Sequence, residues 1–329
     1  MRLEEMIPSL EQIATPITAP VEDGPPDIIP GLLPRQGQLV IAGETNVGKS
    51  LVALEICSAL TTSRKLWGEL EPTMAAKKIL YILGEHYNAV IQRLWQVTRL
   101  PMTDQVYLLG PEQLGFDKWL VAQGKQNVRA MEKFMTWAKG VDLIVFDPFS
   151  AFVTGIDVEN DNIQMRLVLD SMSMVAQSAG ASCVVLAHQG KPMMDKFGQE
   201  HHRKSYAIRG ASAIEDAATN IFYLSKAIEG ASQAAQRVAG DAQILSLTNR
   251  KYKGIAPAEY RLMRDPVTLN HTLLGNRPYV EVQRMVTQAK LGRMQVAFPD
   301  KDLGEIIKIV AAMDGVSERT IQRHLGIAT

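Results

Sequence analysis

"GETNVGKS", residues 43–50, stands between the apolar run "QLVIAG" (38–43) and the helix-like run "LVALEICSALTT" (51–62). A glycine, four free positions and then Gly-Lys-Ser is the pattern of a loop that wraps phosphate. Its glycines let backbone N–H groups turn inward, and the helix that opens at Lys49 aims its positive end at the anion. Gly43, Thr45, Asn46, Val47, Gly48, Lys49, Ser50 and Leu51 are the expected nucleotide cradle. Lys49 is expected to bridge the β and γ phosphates, and Ser50 to set its hydroxyl on Mg2+. ATP and Mg2+ are therefore the expected ligands.

Reading outward, short aliphatic runs alternate with helical patterns. "QLVIA" (38–42), "KILYIL" (78–83), "VYLLG" (106–110), "DLIVFD" (142–147) and "SCVVLAH" (182–188) read as strands, with helices expected at 49–62, 89–98, 128–139 and 161–178. Continuous apolar strands separated by helices predict an α/β fold whose mostly parallel sheet is covered on both faces. "NIFYLS" (220–225) and "QILSLTN" (243–249) are expected to extend the sheet, antiparallel or at its edge.

A bound metal also needs a carboxylate, expected at the end of a buried strand beside the phosphate-loop strand. Asp147, preceded by four apolar residues in "DLIVFD", supplies it. Hydrolysis further needs a group that orients or deprotonates water. No acid follows Asp147 directly, since Pro148 and Phe149 come next, but Glu85 ends the second strand in "YILGE". A carboxylate there suits the water beside the γ-phosphate; an acid stabilised by the dipole of the following helix is the alternative.

The chain has 329 residues, 46% hydrophobic and 21% charged, ordinary proportions for a globular protein large enough to bury a whole sheet. With 35 basic and 35 acidic side chains its formal net charge is zero, which excludes a general polyanion-binding surface and makes any nucleic-acid contact local. Cys57 and Cys183 fall inside apolar runs, which suits buried thiols and a cytoplasmic setting rather than a disulfide or a zinc site. No apolar run is long enough to cross a bilayer, so no membrane partner is expected. Residues 1–30 read as an amphipathic start and a proline-rich linker, 31–275 as the ATPase domain, and 285–329 as a small helical unit. That last unit combines "LGEIIKIVAAM" (303–313), with Leu303, Ile306, Ile307 and Val310 at helical spacing, and "GVSERTIQRHLGIA", with a Ser cap.

The order of the phosphate loop, "YILGEHYNAVIQRL", "LIVFDPFSAF", "CVVLAHQGKP" and "IRGASAIEDAATNIFYL" resembles the RecA-like ATPases of the plasmid RepA hexameric helicase type, related to DnaB, over about residues 30 to 270. The resemblance implies a RecA-like P-loop core and a homohexameric ring with ATP between neighbouring subunits. It implies that His188 and Gln189 sense the γ-phosphate and that Arg93 lies near the adenine. In one respect the sequence departs from that family. "DAATNIFYL" lacks the arginine that reaches a neighbour's site, which leaves Arg250 and Lys253 in "TNRKYKG" as candidates for that role, an ordinary basic hairpin being the alternative.

Between the His188 strand and Arg209 the chain carries Lys191, Lys196, His201, His202, Arg203 and Lys204. In RecA-like rings this loop lines the central channel, where its charge suits a single-stranded DNA backbone. The terminal "GVSERTIQRHLG" resembles a helix-turn-helix recognition helix, with Arg319, Gln322 and Arg323 outward and Val316, Ile321 and Leu325 inward. The expected activity is an ATP-dependent DNA helicase in replication of a plasmid, phage or mobile element, with a replication initiator or primase as further partner. A RecA/RadA-like recombination ATPase and an ATP-switched DNA-binding regulator are the alternatives.

Overall fold

The computed structural model describes residues 26–101, 103–154, 162–188, 193–194, 200–201, 214, 216–226, 243–251, 259–274, 279–314, 316–325 and 327. Its centre is a nine-stranded sheet. In chain order the strands are β1 (Gln38–Gly43), β2 (Ile79–Leu83), β3 (Val106–Leu109), β4 (Leu143–Asp147), β5 (Ser182–His188), β6 (Asn220–Lys226), β7 (Gln243–Lys251), β8 (Glu259–Arg264) and β9 (His271–Leu273). Their spatial order is β9-β8-β7-β6-β1-β5-β4-β2-β3. The six strands from β6 to β3 pair in parallel, and β7, β8 and β9 add on antiparallel. This is an α/β fold with a RecA-like P-loop core.

The longer helices among the described residues are α1 (Lys49–Thr62), α2 (Asn88–Thr98), α3 (Val128–Trp137), α4 (Asn162–Ser178), α5 (Tyr279–Ala297), α6 (Leu303–Asp314) and α7 (Glu318–Leu325). Side chains alternate across each strand. Leu39, Ile41, Tyr81, Val145 and Leu186 therefore share one core face with Val52, Ile56 and Leu60 of α1. Val40, Ala42, Ile82, Phe146 and Val185 share the other with Phe134 of α3 and Met165, Leu169 and Met172 of α4. Every residue of β1, β2 and β4 is buried. At about 1.5–3 kcal/mol for each large aliphatic side chain removed from water, this double covering is what holds the parallel strands together. Cys57 and Cys183 are buried free thiols.

The structure revises and extends the sequence reading. The strand 220–225 is internal, parallel to β1, and only β7 begins the antiparallel extension. β8 and β9, which the sequence reading did not assign, complete the sheet. The core begins before residue 31: Ile28 and Ile29 are buried at the end of the proline-rich stretch, where Ile29 bridges Leu33. In the C-terminal helices Leu291, Ile306, Ile307, Val310, Ile321 and Leu325 form a core of their own. Leu303 and Val316 stay exposed, since Leu303 is the first residue of α6 and Val316 lies in the turn ahead of α7 rather than on its apolar stripe.

Candidate nucleotide site

The loop 43–50 joins β1 to α1 at the carboxyl edge of the parallel strands, where crevices form in open α/β sheets. Gly43 is required by packing: a Cβ there would stand 2.3 Å from Leu224 O of β6. Gly48 caps α1 at φ 112° and offers no side-chain cap, so the first N–H groups of the helix remain for an anion. Asn46 also takes a left-handed conformation, Thr45 and Asn46 face solvent, and Val47 and Leu51 anchor the loop in the core.

Lys49 folds back into the loop. Its ammonium donates to Gly43 O over 3.0 Å and Glu44 O over 2.7 Å, and stands 3.4 Å from His188 Nδ1. Burial pulls its pKa down to about 8, against the opposing pull of Asp147 and Glu44. His188 is half-buried at the end of β5, level with Gly43 in the β1–β5 register.

Ser50 Oγ donates to Asp147 Oδ2 over 2.8 Å. The sequence placed the Asp147 strand beside the phosphate-loop strand. In the structure β5 lies between them, and Ser50 at the start of α1 reaches Asp147 at the end of β4 across it. Tyr81, fully buried on β2, also donates to Asp147 Oδ2 over 2.8 Å. Burial, and next the Asp147 carboxylate, hold its phenol well above the ordinary value, so it remains a donor. Tyr81 pairs with Val145, and Val145 and Asp147 share one face of β4, which is why an aromatic ring on β2 reaches the carboxylate two residues on. Nothing in an apolar strand sequence marked Tyr81 beyond the one hydroxyl in "ILYIL".

Glu85 lies two residues past Leu83, the strand end that pairs with Asp147, and is exposed at the same edge. It is thus two strand positions further from β1 than His188. Arg93 is exposed on α2 and makes no hydrogen bond or ion pair to the loop among the described residues. Arg250 sits near the end of β7, whose neighbours Asn249 and Lys251 pair with Phe222 and Ile221. Since β6 runs parallel to β1, that places Arg250 toward the opposite edge of the sheet from its own phosphate loop. Arg319 and Arg323 are exposed on α7. Gln189, Lys191, Lys196, His202, Arg203, Lys204, Arg209 and Lys253 lie outside the described residues.

The cradle fits a nucleotide with a divalent cation. It has glycines where a Cβ would not fit, an uncapped helix start, and one buried ammonium for phosphate. Beside these a hydroxyl and a carboxylate already share a hydrogen bond at the place where Mg2+ is held in P-loop proteins. A residue that sequence reading missed, Arg264, ends β8 and donates from Nη1 to Val47 O over 3.1 Å. Its only sequence signal was a basic residue closing the alternating run "EYRLMR".

Similar solved structures include the flagellar accessory protein FlaH from Methanocaldococcus jannaschii, at 12% identity and a TM-score of 0.44, with 73% of this chain and 89% of that chain covered. A KaiC-like protein from Pyrococcus horikoshii OT3 matches at 12% identity and a TM-score of 0.45, covering 75% of this chain and 94% of its own. No curated protein matches the chain. A family model described as AAA domain matches residues 17–194, a span that contains the phosphate loop, Glu85, Asp147 and His188, and the chain belongs to that family.

Proposed function

We propose that the protein hydrolyses ATP and uses the energy to translocate on single-stranded DNA as a homohexameric helicase ring, in the replication of a plasmid, phage or mobile element. The observation that carries this reading is the 3.4 Å approach of His188 Nδ1 to Lys49 Nζ. A side chain beside the phosphate-binding ammonium ends the strand from which the basic segment with Lys191, Lys196, Arg203 and Lys204 departs. Loss of the γ-phosphate changes the charge facing Lys49 and His188, and the basic segment that follows His188 and Gln189 in the sequence is the one assigned to carry that change to DNA.

Within the site, Gly43 to Leu51 hold the phosphates, with Lys49 on the β and γ groups, and Ser50 and Asp147 hold the cation. Mg2+ when bound neutralises phosphate charge and fixes the phosphate oxygens. Glu85 orients or deprotonates the water, and its exposed position leaves room for that water. Arg93 is assigned to the adenine side. Arg250, carried by β7 toward the sheet edge opposite its own loop, suits action on a neighbour's nucleotide, with Lys253 as the second candidate. The test is the ATPase rate with and without single-stranded DNA, unwinding of a forked duplex, and particle images. Closed rings and DNA-stimulated turnover that Lys49→Ala abolishes are expected; an intact protein that never unwinds overturns the helicase reading, and filaments on DNA favour a recombinase.

A second reading rests on the separate core of α5, α6 and α7 and the exposed Arg319 and Arg323. In it the ATPase is a switch for a DNA-binding regulator. Deleting residues 295–329 abolishes DNA binding on that reading and spares DNA-stimulated ATPase on the first. A primase or initiator partner is proposed for the same unit.

A further inference from the structure

Arg264 closes β8 at the phosphate-loop edge of the sheet and reaches the back of the loop. Its Nη1 donates to Val47 O over 3.1 Å, and its Nη2 donates to Gln243 Oε1, the side chain paired with it across the β7–β8 ladder. The guanidinium occupies the space a side chain at position 48 would need, since a Cβ on Gly48 would stand 2.8 Å from Nη1. It is half-buried between the strand end and the loop.

The Val47–Gly48 peptide is trans and planar, so its C=O and N–H point in opposite directions. Holding Val47 O toward Arg264 turns the Gly48 N–H away from β8 and into the loop. Among the described residues that N–H has no acceptor. The neighbouring groups facing into the loop are the Lys49 ammonium and the start of α1, both suited to phosphate.

We propose that Arg264 is a positioning residue for the nucleotide: anchored by Gln243, it clamps the Val47–Gly48 peptide so that the Gly48 N–H is presented to the β-phosphate. The arginine does not touch the nucleotide; it acts through a backbone carbonyl, and a fork with two donors fixes a peptide plane better than a point charge does. A flexible glycine at φ 112° has no preference of its own for that orientation. The inference rests on the nucleotide reading of the loop and names the element that shapes it.

The test compares binding of ADP and of AMP to the full chain by calorimetry, for the wild type, Arg264→Met and Arg264→Lys, with the thermal midpoint of each protein alone. Arg264→Met is expected to weaken ADP about tenfold, the scale of one impaired hydrogen bond to a charged group, and to leave AMP within about twofold. Arg264→Lys, which keeps a donor for Val47 O, should recover part of the ADP loss. A folded Arg264→Met that binds ADP as the wild type does overturns the clamp, and so does an equal loss of ADP and AMP. Should Arg264→Met not fold, Gln243→Leu removes the anchor and keeps the guanidinium; ADP affinity unchanged in that variant overturns the proposal. A wild type that binds no ADP sinks the nucleotide reading itself, a result distinct from either.

Discussion

Ser50 Oγ and Asp147 Oδ2 are 2.8 Å apart, joined across an intervening strand, and the same carboxylate oxygen accepts a second hydrogen bond from Tyr81. Two donors on Oδ2 fix the plane of the carboxyl group and leave Oδ1 for water of a bound cation. On the proposal that Ser50 and Asp147 hold the cation, the phenol would act from behind them, as outer partners do in metal sites.

Tyr81→Phe removes that donor and keeps the packing of a fully buried ring. The Mg2+ concentration for half-maximal ATP hydrolysis should rise roughly tenfold, within the range for lost outer-shell partners. Stability should fall by only about 1 kcal/mol. A Mg2+ titration of turnover checks this, and an unchanged requirement would reduce Tyr81 to a core residue.

The pH dependence of binding follows from Lys49. With its pKa pulled down to about 8 by burial, the ammonium is present below pH 8 and is lost as the pH rises through 8. Phosphate favours the charged form, so nucleotide binding near and above pH 8 should be accompanied by proton uptake, and ADP affinity should fall between pH 7 and pH 9. Calorimetry in buffers of different ionisation enthalpy measures that uptake, which Lys49→Met should remove. For stability the sign is opposite. The unfolded lysine, at an ordinary value of 10.5, binds more protons than the folded one between the two values, so this residue's contribution to stability improves as the pH rises across that window.

Glu85→Gln keeps size and polarity at an exposed position and removes the carboxylate proposed as the base. Hydrolysis should fall by roughly 100-fold or more, the typical worth of a general base, while ATP affinity changes little. Single-turnover phosphate release beside equilibrium binding separates the two quantities. A Gln variant with wild-type turnover would leave Glu85 as a helix-start acid.

Glu55, buried on α1, receives Trp67 Nε1 over 2.9 Å and the His271 backbone N–H over 2.6 Å, with His271 Nδ1 2.7 Å from its carboxylate. It ties the phosphate-loop helix to β9, the last strand of the sheet. Glu55→Ala strands those groups in the core and should cost about 3–5 kcal/mol. Urea unfolding followed by tryptophan fluorescence reads the loss directly.

The loop 43–50 and the positions of Asp147 and His188 at strand ends, with Glu85 two residues past another, were legible in the sequence, because each depends on short-range pattern: a glycine turn, an apolar run, a polar residue closing it. The parallel core was legible for the same reason, and the helix boundaries at 49–62 and near 88–98 agree closely with the structure. Tyr81, Arg264 and Glu55 were not legible, since each works through a partner 66, 217 or 216 positions away.

What the sequence by itself determined is the phosphate loop, the strand-and-helix alternation and the identity of the charged groups at the carboxyl edge. Only the tertiary structure decided that β5 separates β1 from β4, that β7 carries Arg250 toward the sheet edge opposite the phosphate loop, and that β8 brings an arginine to the loop's back. Periodicity records which face of a segment is buried, and it holds no information on which strand becomes its neighbour. That choice is made by packing and ladder hydrogen bonds between segments far apart in the chain.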